Sequence, residues 1–306
     1  MSDDAYGATV AKRRLSRRLA ELRGTTGYTA NHVCDILNWG RGKVGRFEAN
    51  QWKRPEMSDI RDLIRIYEVQ GAERDEIEDL AVRCRVRPWW REFGEIFDNE
   101  FPGYENDAAT IQVYMPLVVP GLLQTQAYME AQFKACARSP AWRRKGVKAR
   151  LRRQEILDRV DGTVSPGSTV SPGSPVSFGS TASSGSTVPR LSVVITEASL
   201  RYRWGMHSDR REQIDHLAEM SRRRNIDLRI QRFDDGPPTG LSMVNILGFP
   251  DDEPPIVFVE TDYSVDEVSA GEAVHGYIQS FERACDAALE PEDTTVYLET
   301  LAKRME

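Results

Sequence analysis

Basic side chains are concentrated in a short stretch where two apolar residues stand at a helical interval. Val44 and Phe47 lie three positions apart, so both would face inward from a short helix running from about Arg41 to Ala49. The residues left on or beside its outer face are Arg41, Gly42, Lys43 and Arg46. A guanidinium group can donate two hydrogen bonds to O6 and N7 of one guanine, and both kinds of cation bind phosphate. The spacing therefore predicts contacts to the base edges of a nucleic acid.

Polar residues on either side of this helix are suited to holding a phosphate backbone. Thr29 would cap the preceding helix, which places its hydroxyl and nearby backbone N–H groups where a phosphate can bind. Asn50, Gln51 and Lys53 follow the short helix in a basic loop. We expect these four residues to position the protein on the backbone without reading base sequence.

The surrounding sequence is typical of a compact helical unit. Helical periodicity predicts five short helices at about residues 12–23, 30–37, 41–49, 58–67 and 73–85. Thr29 would cap the second helix and Ser58 the fourth, while residues 38–40 form a tight turn. The residues expected to face inward from the second helix are Val33, Ile36 and Leu37. Two short helices joined by such a turn describe a helix-turn-helix, whose second helix enters the major groove.

Charge is unevenly distributed along the 306 residues. Residues 12–54 contain eleven Lys or Arg and three Asp or Glu, which gives this segment a net charge of +8. The whole chain has a net charge of −6, so the remaining residues carry −14. A basic segment on an otherwise acidic chain indicates a polyanion-binding module attached to a part with another role.

Beyond this unit the sequence predicts an α+β or α/β domain. Strands are predicted near residues 110–116, 191–196, 227–232, 242–248 and 256–260, with helices between and after them. Residues 162–189 contain no charged side chain and consist almost wholly of Gly, Ser, Thr, Pro and Val, which predicts a disordered insert. The predicted division is a helix-turn-helix domain over 1–85, an aromatic connector over 86–109 and a C-terminal domain over 110–306.

Residues 12 to about 70 resemble the helix-turn-helix of the Xre/phage-repressor family. The motifs that carry the resemblance are Leu22-Arg23, Gly27-Tyr28-Thr29, the run from Lys43 to Asn50, and Pro55. The resemblance implies a five-helix, lambda-repressor-like head in which Arg23, late in the first helix, pairs with Glu48 at the end of the recognition helix. The base-reading positions of the family fall here on Arg41, Gly42 and Arg46.

Three further segments resemble a C-terminal domain of poorly defined function that follows this helix-turn-helix in many bacterial regulators. These segments are Tyr114–Tyr128, Ile195–Arg201 and Phe281–Arg283. Some such regulators act as antitoxin-like repressors encoded beside a small partner protein. The resemblance therefore implies a protein partner for the C-terminal domain.

The basic residues between 143 and 153 allow two interpretations. Arg143, Arg144, Lys145, Arg150, Arg152 and Arg153 would lie on one helix. They would form either a second DNA contact or a solvated helix face. We favour the solvated face, because charge runs on helices usually face water.

Other chemistries find little support in the sequence. The four cysteines and four histidines have no metal-ligand spacing, and there is no phosphate-binding loop or nucleophile motif. We expect no enzymatic activity, metal or cofactor, with Cys34 a small core residue and Glu197 a local ion-pair partner of Arg201. The absence of an apolar run of about 18 residues, together with the scattered cysteines, predicts a cytoplasmic protein with no membrane contact.

Together these features predict a sequence-specific DNA-binding transcriptional regulator that acts as a repressor. One small head buries too little surface for tight specific binding, so we expect a homodimer on double-stranded DNA. The C-terminal domain would dimerise and sense a signal or a partner protein. The alternative is an antitoxin-like interaction module with weak or no DNA binding, because Gly42 and Gly45 offer no side chain to a groove.

Overall fold

A computed structural model describes residues 8–159, 188–236, 242–261 and 265–305 of the chain. Contacts divide these residues between Glu92 and Phe93 into two compact units, which we call the head (8–92) and the body (93–305). The fold is multidomain, with a helical head followed by an α+β body, which confirms the predicted fold class. The predicted insert at 162–189 lies outside the described residues except for its last two positions.

The described part of the head comprises the five predicted helices. They are α1 (Ala8–Thr26), α2 (Ala30–Ile36), α3 (Lys43–Glu48), α4 (Met57–Ile66) and α5 (Gly71–Arg83). Their apolar stripes meet in one core, because residues at helical spacing on each element are buried together. The core includes Leu15, Leu19, Val33, Val44, Phe47, Ile60, Leu63, Ile77 and Leu80.

Most helix boundaries differ from the sequence prediction by one to four residues, and one side chain differs in burial. The first helix is longer at both ends than predicted and passes through Gly24 to Thr26, before Gly27 adopts a left-handed conformation. Ser58 does not cap α4, which begins one residue earlier and has Glu56 at its N-cap position. Ile36 was expected in the core but is exposed, because α2 ends at this residue and turns away.

Helices α2, α3 and α4 end in the same way. Each is followed by a residue in the left-handed conformation, and the next backbone N–H donates back to a carbonyl in the last turn. The left-handed residues are Asn38, Asn50 and Glu68, and the N···O distances of the return bonds are 2.8, 2.8 and 3.0 Å. These closures satisfy carbonyls that a helix end leaves free, so short helices can follow one another closely.

The body contains a six-stranded mixed sheet and seven α-helices within the described residues. The elements are α6 (Phe101–Asp107), β1 (Thr110–Met115), α7 (Gln126–Ala135), α8 (Pro140–Gln154), β2 (Arg190–Thr196), α9 (Glu197–Arg201), α10 (His207–Met220), β3 (Ile226–Gln231), β4 (Met243–Gly248), β5 (Ile256–Glu260), β6 (Val265–Val268), α11 (Gly271–Asp286) and α12 (Pro291–Lys303). Strand β6 and helix α12 were not predicted from the sequence.

The strands are ordered β3-β2-β1-β4-β5-β6 across the sheet. Strands β1, β2 and β3 are parallel, whereas β4, β5 and β6 pair antiparallel. The parallel strands are buried along nearly their whole length, which explains why they read as continuous apolar runs. Strand β6 is short and carries acidic residues at its centre, as edge strands often do.

Helices cover both faces of the sheet. On one face, Tyr114, Val244 and Ile246 pack with Val274 and Phe281 of α11. On the other, Phe258 of β5 contacts Phe101 and Tyr104 of α6, with ring centroids 5.1 and 5.7 Å apart. The second half of the predicted connector therefore contributes to the core of the body.

None of the helices in the described ranges combines the length and apolarity needed to cross a bilayer.

Candidate nucleic-acid interface

Helices α2 and α3 are joined by a tight turn that has a left-handed residue at each end. Asn38 follows α2 with φ +52°, and Gly42 precedes α3 with φ +78°. The backbone N–H of Trp39 donates to Cys34 O at 2.8 Å, and that of Lys43 to Gly40 O at 3.1 Å. These closures reverse the chain within a few residues, which is the local geometry of a helix-turn-helix.

Aromatic side chains anchor the inner face of α3. Phe47 lies between Trp39 and Trp52, with ring centroids 6.4 and 5.5 Å away. The indole N–H of Trp52 donates to Ser16 Oγ at 2.9 Å and to Phe47 O at 3.2 Å. Sequence reasoning predicted Val44 and Phe47 as buried but missed both tryptophans, because they lie outside the helical repeat in the flanking loops.

Arg23 of α1 and Glu48 of α3 connect the first and third helices. Arg23 Nε donates to Glu48 Oε1 at 2.6 Å, and Nη2 donates to Oε2 at 2.9 Å. The third guanidinium nitrogen, Nη1, donates to Tyr28 O at 2.7 Å. The hydrogen bonding with Glu48 outweighs burial and raises the pKa of Arg23 above its usual value. This fork fixes the end of α3 against α1.

Arg41 and Arg46, both predicted to contact a groove, lie on the surface of the head. Both side chains are exposed, and neither forms a hydrogen bond or ion pair with another described residue. A Cβ built at Gly42 would lie 3.6 Å from Arg46 Nη1, so the guanidinium folds over the start of α3. Arg41, Gly42 and Arg46 therefore share one end of this helix.

Lys43 differs from these arginines. Its Nζ lies 2.7 Å from Asp59 Oδ1 and 4.0 Å from the centre of the Trp39 ring. The ammonium is therefore neutralised by a carboxylate within the head, on the side of α4. Lys43 thus supports α3 through this ion pair, and its predicted groove contact stays a prediction.

The predicted phosphate contacts have two kinds of environment. Thr29 Oγ1 accepts the backbone N–H of His32 at 3.1 Å, which confirms Thr29 as the cap of α2. Asn50 adopts the left-handed conformation that closes α3, and its Oδ1 accepts from Ser16 Oγ at 3.4 Å. Gln51 and Lys53 are exposed in the following loop. Thr29 and Asn50 thus stabilise the ends of α2 and α3, in addition to any contact with phosphate.

Acidic residues of the head pair with the arginines of α1. Arg14 lies 2.6 Å from Glu76 of α5, and Arg18 lies 2.5 Å from Glu73 and 2.7 Å from Glu21. Among the described residues, the exposed cations without such partners near α3 are Arg41, Arg46, Lys53 and Arg54. The free positive charge is therefore much smaller than the net +8 of residues 12–54, and it gathers at α3 and the loop after it.

Two of the basic residues of α8, Arg150 and Arg153, do not lie on the solvated face that the sequence favoured. Arg153 is paired with Glu105, which is 2% exposed, and Arg150 donates to Gln124 and Gln132. The interpretation is wrong for these two arginines, because residues far away in sequence enclose them. Arg144 and Arg152 are exposed as expected.

Two smaller predictions concern residues outside the interface. Cys34 is fully buried, which confirms it as a core residue. The side chains of Glu197 and Arg201 form the predicted ion pair, with Arg201 Nε donating to Glu197 Oε1 at 3.0 Å. The described residues contain no group of three or more His, Cys, Asp or Glu placed to hold a metal ion.

Comparisons with protein families identify both parts of the chain. A helix-turn-helix domain matches residues 14–77, and a domain of unknown function, DUF5753, matches residues 99–165 and 180–300. No curated protein and no solved structure matched. The first match supports DNA binding in a regulatory role but does not assign the head to the Xre/phage-repressor family. Since the second covers more than half of the chain, the protein belongs to the DUF5753 family and carries a helix-turn-helix domain ahead of that region.

Proposed function

We propose that the protein is a sequence-specific transcriptional repressor that binds double-stranded DNA as a homodimer through a head of the Xre/phage-repressor type. The observation that carries the proposal is the group of four exposed cations at α3 and its following loop, in a unit where Arg14, Arg18 and Arg23 of α1 are paired with carboxylates. A surface built in this way offers an anion a local target although the whole chain is acidic.

Within this proposal the two arginines of α3 and its leading turn read sequence. Arg41 and Arg46 reach base edges, where each good bidentate contact discriminates by about 1–3 kcal/mol. Gly42, which has no side chain, allows the backbone at the start of α3 to approach the groove closely. The residues assigned to phosphate are Thr29, Asn50, Gln51, Lys53 and Arg54.

A dimer follows from the small size of the head. A single module of this kind buries roughly 600–1,000 Å² on DNA, which is at the low end for specific binding. Two heads on a two-fold site double that area and fix the spacing of the half-sites. We assign dimerisation and the sensing of a signal or of a small partner protein encoded nearby to the body, on the basis of the resemblance described above.

The test is selection of bound sequences from random double-stranded DNA by the purified full chain. We expect an enriched motif with two-fold symmetry, and tighter binding to it than to scrambled DNA of equal length. A single enriched half-site would contradict the dimer but not DNA binding. Failure to enrich any motif would favour the protein-interaction module, which the absence of a side chain at Gly42 and Gly45 and the ion pair of Lys43 with Asp59 also support.

A further inference from the structure

A small polar cavity lies in the body between α8 and strands β1, β4 and β5. Its volume is about 70 Å³. This is more than the roughly 10–15 Å³ that a single water needs, so the cavity can hold a group larger than one water. Polar side chains line much of its wall, among them Gln124, Gln132, Arg150, Arg153, Asn245 and Glu260.

Arg153 has its charge balanced by the protein. Its Nε and Nη2 each donate to one carboxylate oxygen of Glu105, both at 2.7 Å. This is the two-point geometry in which a guanidinium binds a carboxylate most strongly. Neither charge of this pair is left for a ligand.

Arg150 lies one helical turn before Arg153, and its partners are neutral. Its Nη1 donates to Gln124 Oε1 and to Gln132 Oε1, both at 2.8 Å, and its guanidinium stacks 4.3 Å from the Phe133 ring. The Nε–Nη2 edge, which holds the carboxylate on Arg153, donates to no described residue on Arg150. Burial, followed by the charge of Arg153, lowers the pKa of Arg150 to about 10, and the charge of Glu260 opposes this shift in part.

Glu260 provides the opposite charge in the same cavity. Its Oε1 accepts from Asn245 Nδ2 at 2.8 Å. Among the described residues, Glu260 and Arg150 form no direct ion pair although both line the cavity. A simple anion at Arg150 would be repelled by Glu260, and a simple cation at Glu260 by Arg150.

We propose that this cavity binds a small zwitterion of the α-amino acid class. The ligand carboxylate would accept from the Nε–Nη2 edge of Arg150, as Glu105 does from Arg153, and the ligand ammonium would donate to Glu260. The small volume favours a ligand of about the size of glycine, alanine or serine. The proposal concerns the body alone and stands whether or not the head binds DNA.

The first test is titration of the full chain with these three amino acids, followed by isothermal calorimetry and thermal unfolding. We expect saturable binding and a higher melting temperature with at least one of them. Acetate and propionate lack the ammonium, and methylamine and ethylamine lack the carboxylate, so each should bind at least about tenfold more weakly. Phenylalanine should bind more weakly than these three, because its side chain is larger than the space beside Arg150.

Two substitutions separate the roles of the charged groups. Arg150→Lys keeps the charge but loses the planar edge, so affinity for the amino acid should fall about tenfold or more. Glu260→Gln should weaken the amino acid while leaving propionate binding equal or tighter. Arg152→Lys, at an exposed position of α8, is the matched control and should bind as the unmodified chain does.

Two binding results would overturn the proposed amino acid site. Absence of binding by all three amino acids to the unmodified chain would overturn it, whatever the variants do. Equal binding of propionate would show a plain anion site and would also overturn it. Circular dichroism of each variant distinguishes lost binding from lost folding, and Glu260→Gln provides a second test should Arg150→Lys fail to fold.

Discussion

The arginines of the head have different roles, and these depend on whether a carboxylate lies beside the guanidinium group. Arg23 is held by Glu48 and Arg18 by Glu73, whereas Arg41 and Arg46 have no partner among the described residues. Because a paired guanidinium would have to give up its carboxylate before binding a phosphate, only the unpaired ones are ready for DNA. The count of basic residues therefore overstates the binding surface.

The first prediction separates base reading from backbone binding. Arg46→Ala should reduce discrimination between the selected DNA motif and scrambled DNA by about 1–3 kcal/mol, because a base-edge contact is lost. Lys53→Ala should weaken binding to both DNAs equally, because a phosphate contact carries no sequence information. Fluorescence anisotropy with the two DNAs measures both effects.

The control for this pair is Arg74→Ala, which removes the same charge from α5, where Arg74 pairs with Glu78. It should leave both affinities nearly unchanged. If Arg46→Ala and Lys53→Ala reduced both affinities by the same factor, the assignment of Arg46 to base edges would be wrong.

The second prediction concerns the bond between α1 and α3. Arg23→Ala should destabilise the head by about 1.5–3 kcal/mol, because it removes two charge-assisted hydrogen bonds and leaves a half-buried carboxylate. Hydrogen exchange of the α3 amides reports this local stability. Arg65→Ala breaks an exposed pair with Asp62 and should cost less than about 1 kcal/mol. Equal protection of α3 in both variants would contradict a structural role for Arg23.

At the scale of the element, α3 is short and depends on its ends. Its six residues form fewer than two turns, which is too short for a stable isolated helix. Left-handed residues close it at both ends, and Phe47 anchors its centre. Its position is thus fixed by turn geometry and packing rather than by helix propensity.

The third prediction uses the two glycines of this element as a matched pair. Gly42→Ala should destabilise the head by about 1 kcal/mol or more, because φ is +78° there and an L-residue is strained. Gly45→Ala should stabilise it by about 0.5–1 kcal/mol, because no atom lies within 4 Å of the added Cβ and alanine favours the helix. Hydrogen exchange of the α2 and α3 amides measures both changes, and effects of the same sign would contradict this view of the turn.

The sequence predicted these elements well where local periodicity determines them. Spacing alone identified Val44 and Phe47 as buried, Thr29 as a cap and the five strands β1 to β5, because each depends on neighbours within a few positions. Strand β6 was missed because its Val-Asp-Glu-Val sequence carries no apolar run, and it exists only by pairing with β5.

Prediction failed where a contact joins residues far apart along the chain. The burial of Arg153 depends on Glu105, 48 positions away, and the engagement of Lys43 depends on Asp59 of another helix. Neither partner is visible in the local charge pattern. The cavity beside Arg150 could not be predicted for the same reason, since its wall combines α7, α8 and three strands.

At the scale of the whole molecule, the charge pattern limits how DNA can be bound. The chain carries a net charge of −6, so attraction to DNA must come from the local cations of the head. Such attraction depends on the release of counterions from the phosphates, and its salt dependence counts the contacts made.

The last prediction uses that count to test the stoichiometry of binding. A plot of log K against log salt falls by about 0.9 for each phosphate neutralised. If the cations Arg41, Arg46, Lys53 and Arg54 each released one counterion, the slope would be about −4 for one head and about −7 for two. Because the two arginines assigned to bases contribute less to counterion release, we expect a slope between these figures for a dimer.

Lys53→Ala in both heads should make the slope shallower by about 2, whereas Arg74→Ala should leave it unchanged. A slope near zero would contradict DNA binding by the head and favour a protein-interaction role, and one shallower than −4 would favour a single bound head.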